Sequence, residues 1–238
     1  MNEIPPRLQD RRLFDLAGAD PNRRFSPYCW RVRMALAHKG LAYETIPWRY
    51  GDKAKIIATG QGAVPVIVDG EAMIHDSWAI ANYLEEKYPQ RPLFGNAAAR
   101  GAALMIKFWT ERTLHPLLLR ILIMDIYAAI HENDRAYFRE SREKRFGMTL
   151  EQIATDSDNH REPLRAALEP LRLTLNGQEF IGGAAPTVAD YIVFGALQWA
   201  RCISPMKLLT EDDSVYAWRK RLLDYFDGMA GKAMAREI

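Results

Sequence analysis

The run VPVIVDGEAMIH at residues 64–75 constrains this chain more than any other stretch. Two short apolar runs, VPVIV (64–68) and AMIH (72–75), are joined through Asp69-Gly70, residues that tolerate the positive φ of a tight turn. The spacing predicts an antiparallel hairpin. Upstream, LFDLA (13–17) reads as a first strand, GADPNRRF as its polar exit, the segment from Pro27 as a helix, and Tyr43 to Pro47 as a second strand. Downstream, Ser77 to Tyr88 carries Ile80, Tyr83 and Leu84 at helical spacing, and Pro89 stops it. Strands and helices alternating within 90 residues predict a small α/β unit.

Composition shifts at PQRPLFGNAAARG (89–101). Beyond it the periodicity predicts helices near 98–119, 121–145, 157–176, 187–203 and 211–229, with only EFIG (179–182) ambiguous. The expected organisation is an N-terminal unit over 1–90, a linker over 91–98 and an all-α unit over 99–238. Within the second unit, APTVADY (185–191) has the spacing of an N-terminal capping box, with Asp190 reaching back to Thr187. DRAYFRESREKRF (134–146) reads most simply as a solvated helix face, with an anion-binding patch as the alternative.

Several function classes are set aside by composition. The opening MNEIPPRLQDRR is polar, and the richest apolar run, LLLRILIM (117–124), is short and interrupted by Arg120. Neither a signal peptide nor a membrane span is expected, and the expected location is cytoplasmic. With 32 basic and 30 acidic residues there is no general attraction to nucleic acid or anionic lipid. The five histidines lack ligand-like spacing, so no metal is expected. Cys29 and Cys202 could pair, but without a secretory signal a reduced state is expected.

The chemistry centres on FSPYCWRVRMALAHKG (25–40). Ser26 followed by Pro27 is a helix start: the hydroxyl accepts a backbone N–H, and proline costs nothing where that N–H is unpaired anyway. Helix capping alone explains the dipeptide. A helix N-terminus after the first strand of a βαβ unit is also a place that favours an anion, a thiolate included. Cys29, Val32 and Leu36 share one stripe, so Cys29 reads as a buried small hydrophobe. With serine at position 26, dithiol exchange lacks its attacking thiolate.

Three fragments in order, S-P-Y-C-W-R-V-R-x-A-L-x-x-K-G, A-V-P-V-I-V-D-G and D-S-W-A-I-A-N-Y-L-E-E-K-Y-P, resemble the N-terminal half of cytosolic glutathione transferases. The S-x-x-x-W-R-V-R element looks like the serine-type classes, the zeta class among them. Together with H-K-G, E-K-Y-P-x-R-P, A-D-Y, L-T-E-D-D and F-D-G, the pattern is most similar to bacterial glutathione-dependent β-etherases and their fungal transferase relatives. The resemblance runs from about residue 13 to about 228, dense in the first half and sparse in the second. It implies an α+β fold: a thioredoxin-like βαβαββα domain followed by an all-α helical bundle.

The resemblance also implies roles. Ser26 would donate a hydrogen bond to the sulfur of glutathione, the co-substrate, and stabilise its thiolate. Lowering a thiol pKa from about 8.5 by one or two units takes about 1.4–2.7 kcal/mol, within reach of a hydroxyl and a helix N-terminus. Val64-Pro65 would be a cis peptide presenting the Val64 backbone to the cysteinyl backbone of glutathione; on sequence alone Pro65 fits an edge strand equally. Asp76 or a nearby acid would face the γ-glutamyl ammonium, and Ser77 with the helix N-terminus its carboxylate, although Asp76-Ser77 is also sufficient as a plain helix cap. Lys53, Lys55 and Gln61 stand where the family binds the glycyl carboxylate, in a region of poor match.

Substrate walls are expected from Tyr28, Trp109, Arg112, His115, Met124 and Tyr127, each of which also fits a core role. An aromatic pocket with an Arg or His suits an aromatic electrophile, the cation assisting a departing phenolate. The expected activity is thiolate transfer to such an electrophile, with cleavage of β-aryl ethers as its specific form. A zeta-like isomerase and a non-catalytic glutathione-binding module are the alternatives. The resemblance further implies a homodimer.

Overall fold

The computed structural model describes residues 11–237. The polar opening stretch, apart from Arg11 and Arg12, lies outside them. Strand β1 (Arg11–Leu16) leads through the turn at Pro21 into helix α1 (Pro27–Lys39), and the chain returns as β2 (Glu44–Trp48) beside β1 in parallel. A parallel pair requires a crossover, and α1 supplies it. A 3₁₀ helix (Lys53–Thr59) then leads to β3 (Val66–Asp69), β4 (Ala72–His75) and α2 (Ser77–Lys87). Where an α-helix was expected between β2 and β3, the chain takes 3₁₀ geometry, with one buried residue, Ile56, to anchor it. The sheet order is β2-β1-β3-β4, with β3 antiparallel to both its neighbours.

The hairpin forms where expected, with its turn one residue later. Asp69 pairs with Ala72 in the ladder, so Gly70 and Glu71 make the turn, Gly70 at φ 63°. Asp69 is held in the strand by its side chain, which accepts from Arg11 at 3.0 Å, Tyr83 at 3.0 Å and Tyr88 at 2.7 Å. Burial alone would raise its carboxyl, but these donors hold it below the ordinary range.

Only helices follow: α3 (Ala97–Trp109), a π turn (Thr110–Leu114), α4 (His115–Ala129), α5 (Glu132–Phe146), α6 (Leu150–Thr155), a 3₁₀ turn (Asp158–His160), α7 (Arg161–Ala167), α8 (Glu169–Gly177), α9 (Val188–Ile203) and α10 (Ser214–Gly228). The ambiguous EFIG segment contributes a single bridge between Phe180 and Gly183 rather than a strand. Two expected helices are divided. The one near 121–145 breaks at Ile130, which is extended (ψ 159°), and α5 restarts with His131 as its cap. The one near 157–176 becomes a 3₁₀ turn, α7 and α8, with Pro170 seated in the first turn of α8, where its missing N–H is harmless. The fold is α+β, a thioredoxin-like sheet unit followed by helices.

Helix α9 is buried along nearly its whole length, and its most extensive partner is α1. The contact depends on Gly195: a Cβ there would stand 2.4 Å from the Pro27 carbonyl oxygen. Asp190 works as the capping motif predicts, Oδ2 accepting from Thr187 N at 2.9 Å, and does more. It also accepts from Ile181 N, Gly182 N and the Trp218 indole, tying α9 to the preceding loop and to α10. Leu93 and Phe94, in the stretch between α2 and α3, are buried, and Leu93 O accepts from Val188 N at 2.9 Å.

Candidate functional site

Ser26 sits at the cap of α1 in extended conformation, and its Oγ accepts from Cys29 N at 3.2 Å. That bond uses a lone pair and leaves the hydroxyl proton to be donated elsewhere. Ser26 forms part of the wall of a cavity of ≈ 330 Å³. The sheet unit contributes Phe25, Ser26, Tyr28, Trp48, Tyr50 and Val64, and the helical part contributes His115, Leu119, Tyr137, Phe138, Arg142 and Trp199, among others. The Val64–Pro65 peptide is cis. Cys29 lies beneath the site, fully buried, and burial raises its thiol well above the ordinary value. Cys202 is also a free buried thiol, pushed up to about 12 by burial.

Of the other residues expected to hold glutathione, Val64 lines the cavity, while Lys53, Pro65, Asp76 and Ser77 are not among its lining residues. Asp76 caps α2, its Oδ1 accepting from Trp78 N and Ala79 N, and it does so at φ 69°, a costly conformation for a residue with a Cβ. Ser77, next to it, is buried. Lys53 is exposed and stands 4.7 Å above the Tyr137 ring at the cavity's edge. Pro65 is buried behind Val64.

Of the six residues expected as substrate walls, Tyr28 and His115 line the cavity and four do not. Around the π turn Glu111 and His115, one helical turn apart, face the cavity, while Arg112 is turned to solvent and Trp109 faces a separate apolar cleft with Met105, Ile106 and Leu171. Along α4 the cavity stripe runs through His115, Leu119 and Ile126; Met124 and Tyr127 lie off it. Tyr127 instead packs beneath the Arg135 and Arg139 guanidiniums.

Helix α5 is the main departure from expectation. The stretch read as a solvated face turns Tyr137, Phe138, Arg142 and Arg145 to the cavity. Its docking is fixed by Asp134, which is buried and accepts from Gly51 N at 3.0 Å. The spacing of aromatics and arginines was the available signal, but the partner loop lies some eighty positions upstream, beyond any periodicity.

Tyr28 and His115 face each other, Nδ1 to hydroxyl at 3.2 Å, with rings edge to face at 5.1 Å. Burial, assisted by the Arg31 charge, pushes the imidazole down to about 3. His115 is therefore neutral at pH 7, and the cationic help expected of it for a leaving phenolate is not available. Arg31, buried, forms a 2.7 Å ion pair with Glu111, which also accepts from Lys107 at 2.9 Å. These contacts join α1 to the π turn across the two halves. Among the described residues no group of three or more His, Cys, Asp or Glu side chains is placed to hold a metal ion, and no helix is long and apolar enough to cross a membrane.

Two family descriptions match the chain: glutathione S-transferase, N-terminal domain, over residues 21–92, and glutathione S-transferase, C-terminal domain, over 103–225. Glutathione S-transferase Z1 of Arabidopsis thaliana is 50% identical over 70 residues, which are 26% of this chain and 31% of that protein. The chain thus spans about a third of the length of such curated relatives. Among solved structures, a glutathione S-transferase of Ceriporiopsis subvermispora in complex with glutathione superposes with a TM-score of 0.77 at 23% identity, covering 91% of this chain and 96% of the other. The glutathione transferase GSTFuA3 of Phanerochaete chrysosporium gives 0.75 at 24%, covering 95% of each. At these identities the structural likeness is one of fold.

Proposed function

The chain belongs to the glutathione S-transferase family, and from that premise we propose that it is a serine-type glutathione transferase acting on an aromatic electrophile. The observation that carries this reading is the position of Ser26: a buried hydroxyl at the N-terminus of α1, on the wall of a cavity with aromatic sides. In this reading glutathione lies along Val64, Asp76 and Ser77, with Lys53 near its glycyl end. The hydroxyl and the helix terminus hold its sulfur as thiolate. The sulfur attacks the carbon bearing the leaving group. A C–S bond forms, the C–O or C–halogen bond breaks with its electron pair on the departing atom, and the thiol proton goes to solvent. No net oxidation occurs.

The division into a glutathione-binding unit over 1–90, a linker over 91–98 and a helical unit over 99–238 belongs to the same reading. So does a cytoplasmic homodimer. Its most specific form is β-aryl ether cleavage next to a carbonyl, where sulfur displaces a phenolate. The zeta-class relative favours a second reading, an isomerase in which glutathione adds to a double bond and leaves again. A panel of aryl ether ketones and haloaromatics with glutathione separates them: transfer consumes glutathione and releases phenol or halide, whereas isomerisation returns it. Ser26→Ala is expected to raise the pKa of bound glutathione by about one to two units, read from thiolate absorbance during titration, with a matching fall in conjugation rate near neutral pH. An unshifted titration places the activating group elsewhere.

A further inference from the structure

Among the described residues, no acid in the cavity wall is free to neutralise the positive charge that it carries. Arg142 and Arg145 both line it, and the only acid among the lining residues is Glu111, already held by Arg31 and Lys107. Among the described residues neither Arg142 nor Arg145 is in an ion pair, whereas Arg139 on the same helix is paired with both Glu143 and Glu151. The Arg142 guanidinium lies 4.6 Å from the Phe138 ring centroid and 5.7 Å from that of Tyr50, and its Nη1 donates to Ser141 Oγ at 2.8 Å. Its Nε is buried without a partner. Arg142 also hydrogen-bonds the Tyr50 hydroxyl, and a guanidinium has donors enough to serve these partners and still meet a planar anion. Arg145 and Tyr28 line the same cavity, one from α5 and the other from the first turn of α1.

We propose that Arg142 and Arg145 receive a carboxylate on the electrophile, so that the preferred substrates of this site are aromatic acids, the ring resting among Tyr50, Tyr137, Phe138 and Trp199. This rests on the thiolate-transfer reading of the same cavity. Charge-assisted, two-pronged bonds to a carboxylate select strongly against the matching ester, because the ester leaves the guanidinium edge unpaired.

The test compares 4-chloro-3,5-dinitrobenzoate with its methyl ester, each with glutathione, in wild-type protein and in Arg142→Met, Arg142→Lys and Arg145→Gln. Arg142→Met is expected to lower kcat/KM for the acid by about tenfold to a hundredfold and for the ester by less than about threefold, with Arg142→Lys restoring part of the loss. An equal fall for acid and ester overturns the proposal, since it marks a packing role. So does a loss that appears in the KM for glutathione and vanishes with its glycyl ethyl ester, because the anion held is then glutathione's own. If the wild-type protein turns over neither electrophile, the transfer reading fails separately, and the carboxylate is read from binding of the unreactive pair 3,5-dinitrobenzoate and 3,5-dinitrobenzamide by tryptophan quenching. Tighter binding of the acid, lost in Arg142→Met, supports the site; equal affinities overturn it.

Discussion

Replacing Gly195 by alanine tests whether the α1–α9 contact positions Ser26. The added Cβ would meet the Pro27 carbonyl oxygen at 2.4 Å and the Arg31 Cγ at 3.3 Å, where ordinary contact begins at 3.4 Å. Side-chain rotation relieves the second contact, but the first is with backbone, so the opening turn of α1 must retreat by about 1 Å. Overpacking of this kind costs about 1–3 kcal/mol. For a chain of this size each kcal/mol lowers Tm by about 2–4 °C. Ser26 immediately precedes Pro27 and moves with it, and a displacement of about 1 Å at a reacting group costs up to about a hundredfold in rate. The internal control is Gly101→Ala: Gly101 lies within α3 with nothing inside 4 Å of its Cβ position, so alanine there is expected to stabilise by about 0.5–1 kcal/mol. Thermal melts and glutathione conjugation to 1-chloro-2,4-dinitrobenzene read both variants. If Gly195→Ala melts and turns over like wild type, α1 is not seated by this contact and the reasoning fails.

Two further outcomes concern stability. Asp190→Asn places an amide opposite four N–H donors that now share one carboxylate; a loss of about 3 kcal/mol is expected from urea unfolding, and a loss below about 1 kcal/mol would show that the loop and α10 reach their positions without it. His115 is held neutral by burial, its pKa down to about 3, so unfolding takes up a proton there as pH falls below about 6.5. Its contribution is complete above that pH and declines by about 1.4 kcal/mol per unit toward pH 3. His115→Gln should remove that slope between pH 4 and 6.5, and an unchanged slope assigns the uptake to carboxylates alone.

What sequence made legible was local. The turn glycine at 70, the Ser26-Pro27 cap and the Thr187–Asp190 spacing each act within a few residues, and each formed as read. The facing of the π turn and α4 was not legible, because which side of a helix meets a cavity depends on what packs against it: Glu111 and His115 line the cavity, while Trp109 lines a separate cleft. Likewise, α5 is rich in charge with few apolar residues, and long-range contacts orient it toward the cavity: the bond from Gly51 to Asp134 and the packing of Phe138 against Tyr50 and Tyr127. The cavity wall was therefore the least readable part: it is assembled from helices whose mutual rotation depends on distant contacts.

The joining of α1 to α9, and of Arg31 to Glu111, bears on how molecules get in and out. Both halves contribute surface to one recess, and an ion pair as well as extensive helix contact ties them together. At its rim Tyr137 and Lys53 stand exposed and in contact, so changing that pair is expected to alter the residence time of bound molecules while leaving the reacting groups where they are.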